Sequence, residues 1–164
     1  MLLLNRAPWP RENPAVVGVL VDIRSLYNVG AIFRAADGAG VGGLVLCGIT
    51  PVPPRNEIRK SALGAEESVP WRQEQEVGQA LAWLRERGYT LVALEKNAKS
   101  TELYTLELPE KVALIVGNEY WGLPEEVLTA CDVVSHLPMR GQKISLNVSV
   151  AFGIAAYEVC RRLL

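Results

Sequence analysis

Three stretches of this 164-residue chain set polar and charged side chains beside glycines at spacings suited to chemistry. The first runs Asn28-Val29-Gly30-Ala31-Ile32-Phe33-Arg34-Ala35-Ala36-Asp37. Val29, Ile32, Phe33 and Ala36 recur at i, i+3, i+4 and i+7, which predicts the apolar face of a helix over 29–37. Asn28 is its expected N-cap. Arg34 falls roughly opposite that face, one turn after Gly30. A glycine early in a helix costs up to about 1 kcal/mol relative to alanine, and what it provides is bare backbone beneath a permanently charged side chain. Taken alone, a solvated arginine and an ordinary cap are the plainer readings.

In the second stretch an apolar run, Leu114-Ile115-Val116, meets Gly117-Asn118-Glu119, followed by Tyr120-Trp121-Gly122-Leu123 and a helix opened by Pro124. A polar loop at a strand's carboxyl end offers backbone donors and acceptors to a flat, polar ligand. The plainer alternative is a connection whose glycines supply positive φ, with Tyr120 and Trp121 packed at an interface. The third stretch, Leu137-Pro138-Met139-Arg140-Gly141-Gln142-Lys143-Ile144-Ser145-Leu146-Asn147, leaves a strand and enters a long helix with Ser145 as an expected cap. A fourth candidate, Gly38 to Gly43, matches G-x-G-x-x-G but follows a helix and precedes a strand. That is the reverse of the order that points a helix N-terminus at a pyrophosphate, so it reads as a C-cap and turn.

These loops need a scaffold, and the apolar pattern supplies one. Strands are expected at 16–23, 43–49, 89–94, 112–116 and 133–137, with a weaker one near 68–72. Helices are expected at 29–37, 57–63, 77–87, 124–130 and 146–163. The strand runs are apolar on both faces, as in a parallel sheet covered by helices. The fold class is therefore α/β, an open parallel sheet with helices on both faces, in a single domain over 16–164 after a Pro-rich extended lead-in, 1–15. Ligands in such sheets sit beyond the carboxyl ends of the strands.

Composition bounds the function. Apolar residues are 49% and charged residues 21%, which excludes disordered and fibrous classes. Three cysteines and one histidine exclude a disulfide framework and a Cys/His zinc site, so no metal is expected. The longest nearly apolar stretch, about 15 residues from Leu146, is shorter than the roughly 20 that cross a bilayer, so no membrane partner and a cytoplasmic location are expected. The 146–163 helix is apolar nearly all round at its start, with Val148, Ala151, Phe152 and Ala155 on one side and Val150 and Ile154 on another. It should be buried on two sides, which predicts a homodimer through the C-terminal helix.

Together the three stretches, in this order and spacing over about 16–160, resemble the three motifs of the SpoU (TrmH-type) RNA ribose methyltransferases of the SPOUT superfamily. The resemblance implies a C-terminal deep trefoil knot, which no periodicity shows. It also implies an S-adenosylmethionine pocket built from Gly117, Asn118, Glu119, Leu137, Met139, Ser145, Leu146 and Asn147, and methyl transfer to an RNA ribose 2′-hydroxyl, with tRNA favoured over ribosomal RNA. The catalytic residues it implies are Arg34, Asn28, Glu119, Ser145 and Asn147. Family accounts sometimes make the arginine a base. A guanidinium with a pKa above roughly 12 suits better a clamp on phosphate and developing alkoxide. Larger relatives carry an N-terminal RNA-recognition domain and a C-terminal extension; here the catalytic body alone, with a Pro-rich lead, is expected.

His136, beside the third motif, reads as structural, and Trp71, Trp83 and Tyr89 read as core. The rival function is an RNA-binding or assembly protein that keeps the fold without turnover; a dehydrogenase is disfavoured by the misordered glycines. The net charge of −1 and pI near 5.9 argue against a general nucleic-acid binder, but the average conceals a distribution. Residues 1–60 carry 7 basic and 4 acidic groups, 61–135 carry 6 and 13, and 136–164 carry 4 and 1. Because charge is screened within about 8 Å at physiological salt, RNA meets a local patch. That patch is expected from Arg34, Arg55, Arg59, Lys60, Arg140 and Lys143.

Overall fold

Seven strands pair in the order β3-β2-β1-β6-β4-β7-β5, all parallel, in the computed structural model, which describes residues 7–164. They are β1 (Val16–Val21), β2 (Leu44–Cys47), β3 (Trp71–Glu74), β4 (Thr90–Leu94), β5 (Thr101–Glu102), β6 (Val112–Val116) and β7 (Val133–His136). The helices are α1 (Leu26–Ala39), α2 (Asn56–Ala62), α3 (Ala65–Ser68), α4 (Val77–Glu86), α5 (Glu125–Ala130) and α6 (Val148–Leu163), with a 3-10 turn at Leu103–Thr105.

Both faces of the sheet are buried because successive side chains point opposite ways. Val16 and Leu20 of β1 join Ile32, Phe33, Ile58 and Phe152 in one cluster, under α1, α2 and α6. Val17, Val19 and Val21 join Leu81, Leu84 and Val127 in the other, under α4 and α5. The C-terminal helix buries Phe152, Ala155, Ala156 and Val159 against the first cluster. No helix of the described residues is long and apolar enough to cross a membrane.

Several expected boundaries move, each for a local reason. β1 stops at Val21 because Asp22 takes φ 53°, and β2 stops before Gly48 at φ 63°. β3 lies three residues later than expected, since 65–68 form a helical turn instead. α1 begins at Leu26 with Ser25 as its cap, whose side chain accepts from the Asn28 N–H at 3.1 Å; Asn28 is therefore not the cap. α6 is capped by Asn147, which accepts from the Ser149 and Val150 N–H groups; Ser145 is not the cap. The short β5 has too few residues to leave a periodic signal. The glycine-rich turn after α1 is as expected, with Gly40 left-handed at φ 91°.

Of the lead-in, residues 1–6 lie outside the described residues, and 7–14 carry no regular element apart from bends. Trp9 stacks edge-on against Trp83 at 5.3 Å, and Tyr89 donates to the Pro14 carbonyl at 2.6 Å. Trp71 and Tyr89 are buried, and Trp83 is sandwiched by the Arg72 and Arg87 guanidinia, each 4.0 Å from its ring.

Gly30 has a different use from the one its sequence position suggests. A Cβ there would sit 2.0 Å from Ser61 Oγ and 2.3 Å from the Ile58 carbonyl, so the bare backbone admits α2 rather than a ligand. Gly30→Ala should destabilise the fold by about 1–3 kcal/mol, the cost of overpacking a close contact. Urea unfolding checks this, and an unchanged midpoint would show that α2 can retreat.

Candidate active site

The strand order reverses between β1 and β6, where the chain leaves toward β2 and β3 on one side and β4, β7 and β5 on the other. Loops diverging from such a point leave a crevice at the carboxyl ends. Here it is bridged by one side chain. Glu119 Oε1 accepts from the Arg24 N–H at 2.9 Å, and Oε2 accepts from the Ser25 N–H at 2.8 Å and from Asn28 Nδ2 at 3.0 Å. A carboxylate here meets the unpaired N–H groups that precede a helix and the positive end of its dipole.

The loop that presents Glu119 is built tightly. Asn118 and Gly122 pair as an antiparallel bridge, and Asn118 Oδ1 accepts from the Tyr120 and Trp121 N–H groups at 2.9 and 3.0 Å. Asn118 Nδ2 donates to the Asp22 carbonyl at 2.8 Å, tying the loop to the end of β1. Gly117 is required by this return, since a Cβ would lie 2.6 Å from the Gly122 carbonyl carbon and oxygen.

Beside this bridge, over the carboxyl ends of β6, β4 and β7, opens a cavity of about 560 Å³. All eight expected cofactor-pocket residues line it: Gly117, Asn118, Glu119, Leu137, Met139, Ser145, Leu146 and Asn147. Val148 and Ala151 of α6 close one side. Asn147 links the two halves, donating from Nδ2 to Asn28 Oδ1 at 3.2 Å while capping α6. Asn28 is thus buried between Glu119 and Asn147 rather than in the lining.

Arg34 stands apart. It is exposed on α1 and is not among the lining residues. Arg59 and Lys60 are exposed on α2, and Arg55 precedes it, 3.8 Å from Glu57. Arg140 and Lys143 are exposed on the loop whose Met139 and Ile144 reach the cavity. His136 lines the cavity, with Nδ1 2.8 Å from Ser100 Oγ. Sequence reasoning passed over Glu95 and Lys96, which also line it; their one signal was position, directly after the apolar run of β4. The cysteines offer no nucleophile: burial pushes the Cys47 thiol up to about 12 and Cys131 and Cys160 to about 11. Among the described residues no cluster of His, Cys, Asp or Glu is arranged to hold a metal.

Burial alone would raise the Glu119 carboxyl, but the hydrogen bonds from Arg24, Ser25 and Asn28 outweigh it and hold the group below its ordinary 4.5. A depressed folded pKa gives stability that is complete above the unfolded value and is lost as pH falls through the folded one. Glu119→Gln should therefore lower stability at pH 7 by something on the order of 1 kcal/mol. The gap to the wild type should close as pH drops below 4.5. Denaturant titrations across pH 3–7 measure it, and a gap independent of pH would show that charge at Glu119 is not what holds the bridge.

The chain is similar to known proteins over nearly its whole length. The model of the SpoU rRNA Methylase family matches residues 15–157. The 23S rRNA (guanosine-2′-O-)-methyltransferase RlmB of Coxiella burnetii is 34% identical over 157 residues, covering 93% of this chain and 60% of that protein. The structure of an AdoMet-bound rRNA methyltransferase from Sinorhizobium meliloti superposes with a TM-score of 0.85 at 30% identity, covering 97% of this chain and 62% of that one. The TrmH/SpoU tRNA modifying enzyme of A. aeolicus gives 0.81 at 26% identity, covering 92% and 77%. The chain spans about 60% of the length of the curated relatives it matches. With its three motif loops gathered at the carboxyl ends of β1, β6 and β7, the chain belongs to the SpoU methylase family.

Proposed function

We propose that this chain transfers a methyl group from S-adenosylmethionine to a ribose 2′-hydroxyl of RNA. The observation that carries this reading is the convergence of all eight pocket residues, from two motifs some 20 positions apart, on one cavity. At about 560 Å³ it falls in the usual range for small-molecule sites. Val116, Leu137, Met139 and Leu146 offer apolar surface, and the 117–119 loop offers backbone polar groups, a lining suited to a nucleoside with an amino-acid tail. When bound, the cofactor supplies an electrophilic methyl on a sulfonium; the 2′-oxygen takes it as the C–S bond breaks, releasing S-adenosylhomocysteine and a proton.

What the protein adds is positioning and charge. Glu119 fixes the 117–123 loop against α1, and Asn28 and Asn147 fix α6 against both, so the pocket is held rigid before any ligand arrives. Arg34 carries a charge that proteins do not remove. It therefore serves as a fork on the neighbouring phosphate and the developing alkoxide, worth about 2.7–4 kcal/mol for a well-placed donor. Arg55, Arg59, Lys60, Arg140 and Lys143 extend the basic surface for the RNA backbone. Tyr120 and Trp121, 80% and 85% exposed, would stack on bases.

The reading includes three finer elements. The knot is supported by family membership and by the course of 137–147, which lines the cavity before α6 packs on β1 and β6; it runs against the general rule that chains do not thread. A homodimer through α6 is supported by Val150, Ile154 and Tyr157, exposed apolar side chains on the helix whose other side buries Phe152, Ala155, Ala156 and Val159. tRNA is the substrate favoured from sequence; ribosomal RNA is the second reading, favoured by the name of the Coxiella relative.

Mass-spectrometric mapping of 2′-O-methylation in tRNA and ribosomal RNA from a deletion strain tests the function and separates the two substrates. Loss of one ribose methyl is expected, and an unchanged profile would favour the non-catalytic rival. Arg34→Lys keeps charge but not the fork, so turnover should fall about 100-fold while cofactor affinity by calorimetry stays within about twofold, Arg34 being outside the cavity. Near wild-type turnover would exclude the fork. Ile154→Glu should convert the dimer to a monomer in sedimentation velocity; a monomeric wild type would remove α6 as the interface.

A further inference from the structure

Glu95 is a carboxylate that the family motifs do not use and the mechanism above leaves idle. It follows β4 directly, at the carboxyl end of a central strand, and lines the cavity between Leu94 and Lys96. Both its backbone and its side chain are fixed. The Glu95 N–H donates to the Ser135 carbonyl at 2.9 Å, and Oε2 accepts from the Leu123 N–H at 2.8 Å. Gly122, left-handed at φ 66°, makes room for the carboxylate: a Cβ there would lie 2.3 Å from Oε2 and 3.1 Å from Oε1. That leaves Oε1 with no hydrogen-bond partner and Glu95 with no ion-pair partner among the described residues.

The other carboxylate of the cavity, Glu119, has both oxygens taken by Arg24, Ser25 and Asn28. Glu95 is thus the carboxylate in the lining with an oxygen to offer. Once a ligand covers the half-buried Glu95, its unpaired oxygen calls for donors, and the hydroxyls of a ribose supply them in pairs without a charge. A carboxylate at the end of a strand in an open parallel sheet is a recurrent partner of ribose hydroxyls. The neighbouring lining, Leu94, Val116 and Leu137, is apolar and suits the nucleoside half of a ligand.

We propose that Glu95 is a specificity-determining residue that accepts hydrogen bonds from the ribose hydroxyls of the cofactor's adenosine through Oε1, while Oε2 holds the 117–123 loop. This rests on the cofactor reading above. The fixed carboxylate then selects a ribonucleoside over its deoxy counterpart, since a ligand that covers Oε1 without offering hydroxyls leaves it unpaired.

Calorimetry decides it, with S-adenosylhomocysteine and its 2′,3′-dideoxyribose analogue as probes and no turnover needed. Wild type should bind the analogue at least tenfold more weakly. Glu95→Gln keeps an oxygen for the Leu123 N–H but presents an amide NH₂ to the hydroxyls. It should lose at least tenfold for S-adenosylhomocysteine and bind the two ligands within about threefold of each other, because charge-assisted bonds to the diol are gone. Equal losses for both ligands would overturn the proposal, whether Glu95 acts only on the loop or meets the ligand's ammonium instead; undiminished binding by the variant would overturn it as well. Failure of the wild type to bind S-adenosylhomocysteine would instead overturn the cofactor reading on which it rests.

Discussion

A single carboxylate holds together the parts that make this site. Glu119 sits 91 to 95 positions along the chain from the groups it binds, and it joins the loop after β6 to the loop after β1 and the first turn of α1. Two of its donors are backbone N–H groups that water would otherwise have to satisfy. The third, Asn28, passes the constraint on to Asn147 and so to the start of α6. One chain of polar contacts thus joins the loop after β6, the start of α1 and the start of α6 at the edge of the cavity. Such a chain is strong only when every member is satisfied, as both oxygens of Glu119 and the side-chain oxygen of Asn28 are.

The sheet explains why that space is where it is. β6, β4 and β7 run parallel and adjacent, so their three carboxyl ends open in the same direction. The residues just past those ends, Gly117, Glu95 and Leu137, are brought together although they lie far apart in sequence. Burial on both faces makes this floor rigid, and a rigid floor lets the loops above carry the variation.

Division of labour follows from burial. Glu119, Asn28 and Asn147 are committed to one another beside the cavity, whereas Arg34 and the basic residues of α2 and the 140–143 segment are exposed. The net charge near zero is unevenly distributed: the acidic excess falls in the middle of the sequence and the basic excess at its ends.

The layers, the strand cores and the three polar, glycine-bearing stretches were legible in the sequence, because each depends on local periodicity or on residues contiguous in the chain. β6 was legible to the residue, since an uninterrupted apolar run bounded by a glycine has only one place to end. Tertiary structure decided the rest. Ser25 caps α1 while Asn28, one turn inside, reaches Glu119; Asn147 caps α6 and at the same time donates to Asn28. Gly30 proved to admit a neighbouring helix. Glu95 carried no pattern at all: its role depends on Leu123 and Gly122, 27 or 28 positions away, and only the pairing of β4 between β6 and β7 brings them together. A polar side chain's partners are set by which strands end side by side, and strand order is a property of the folded sheet that no local spacing encodes.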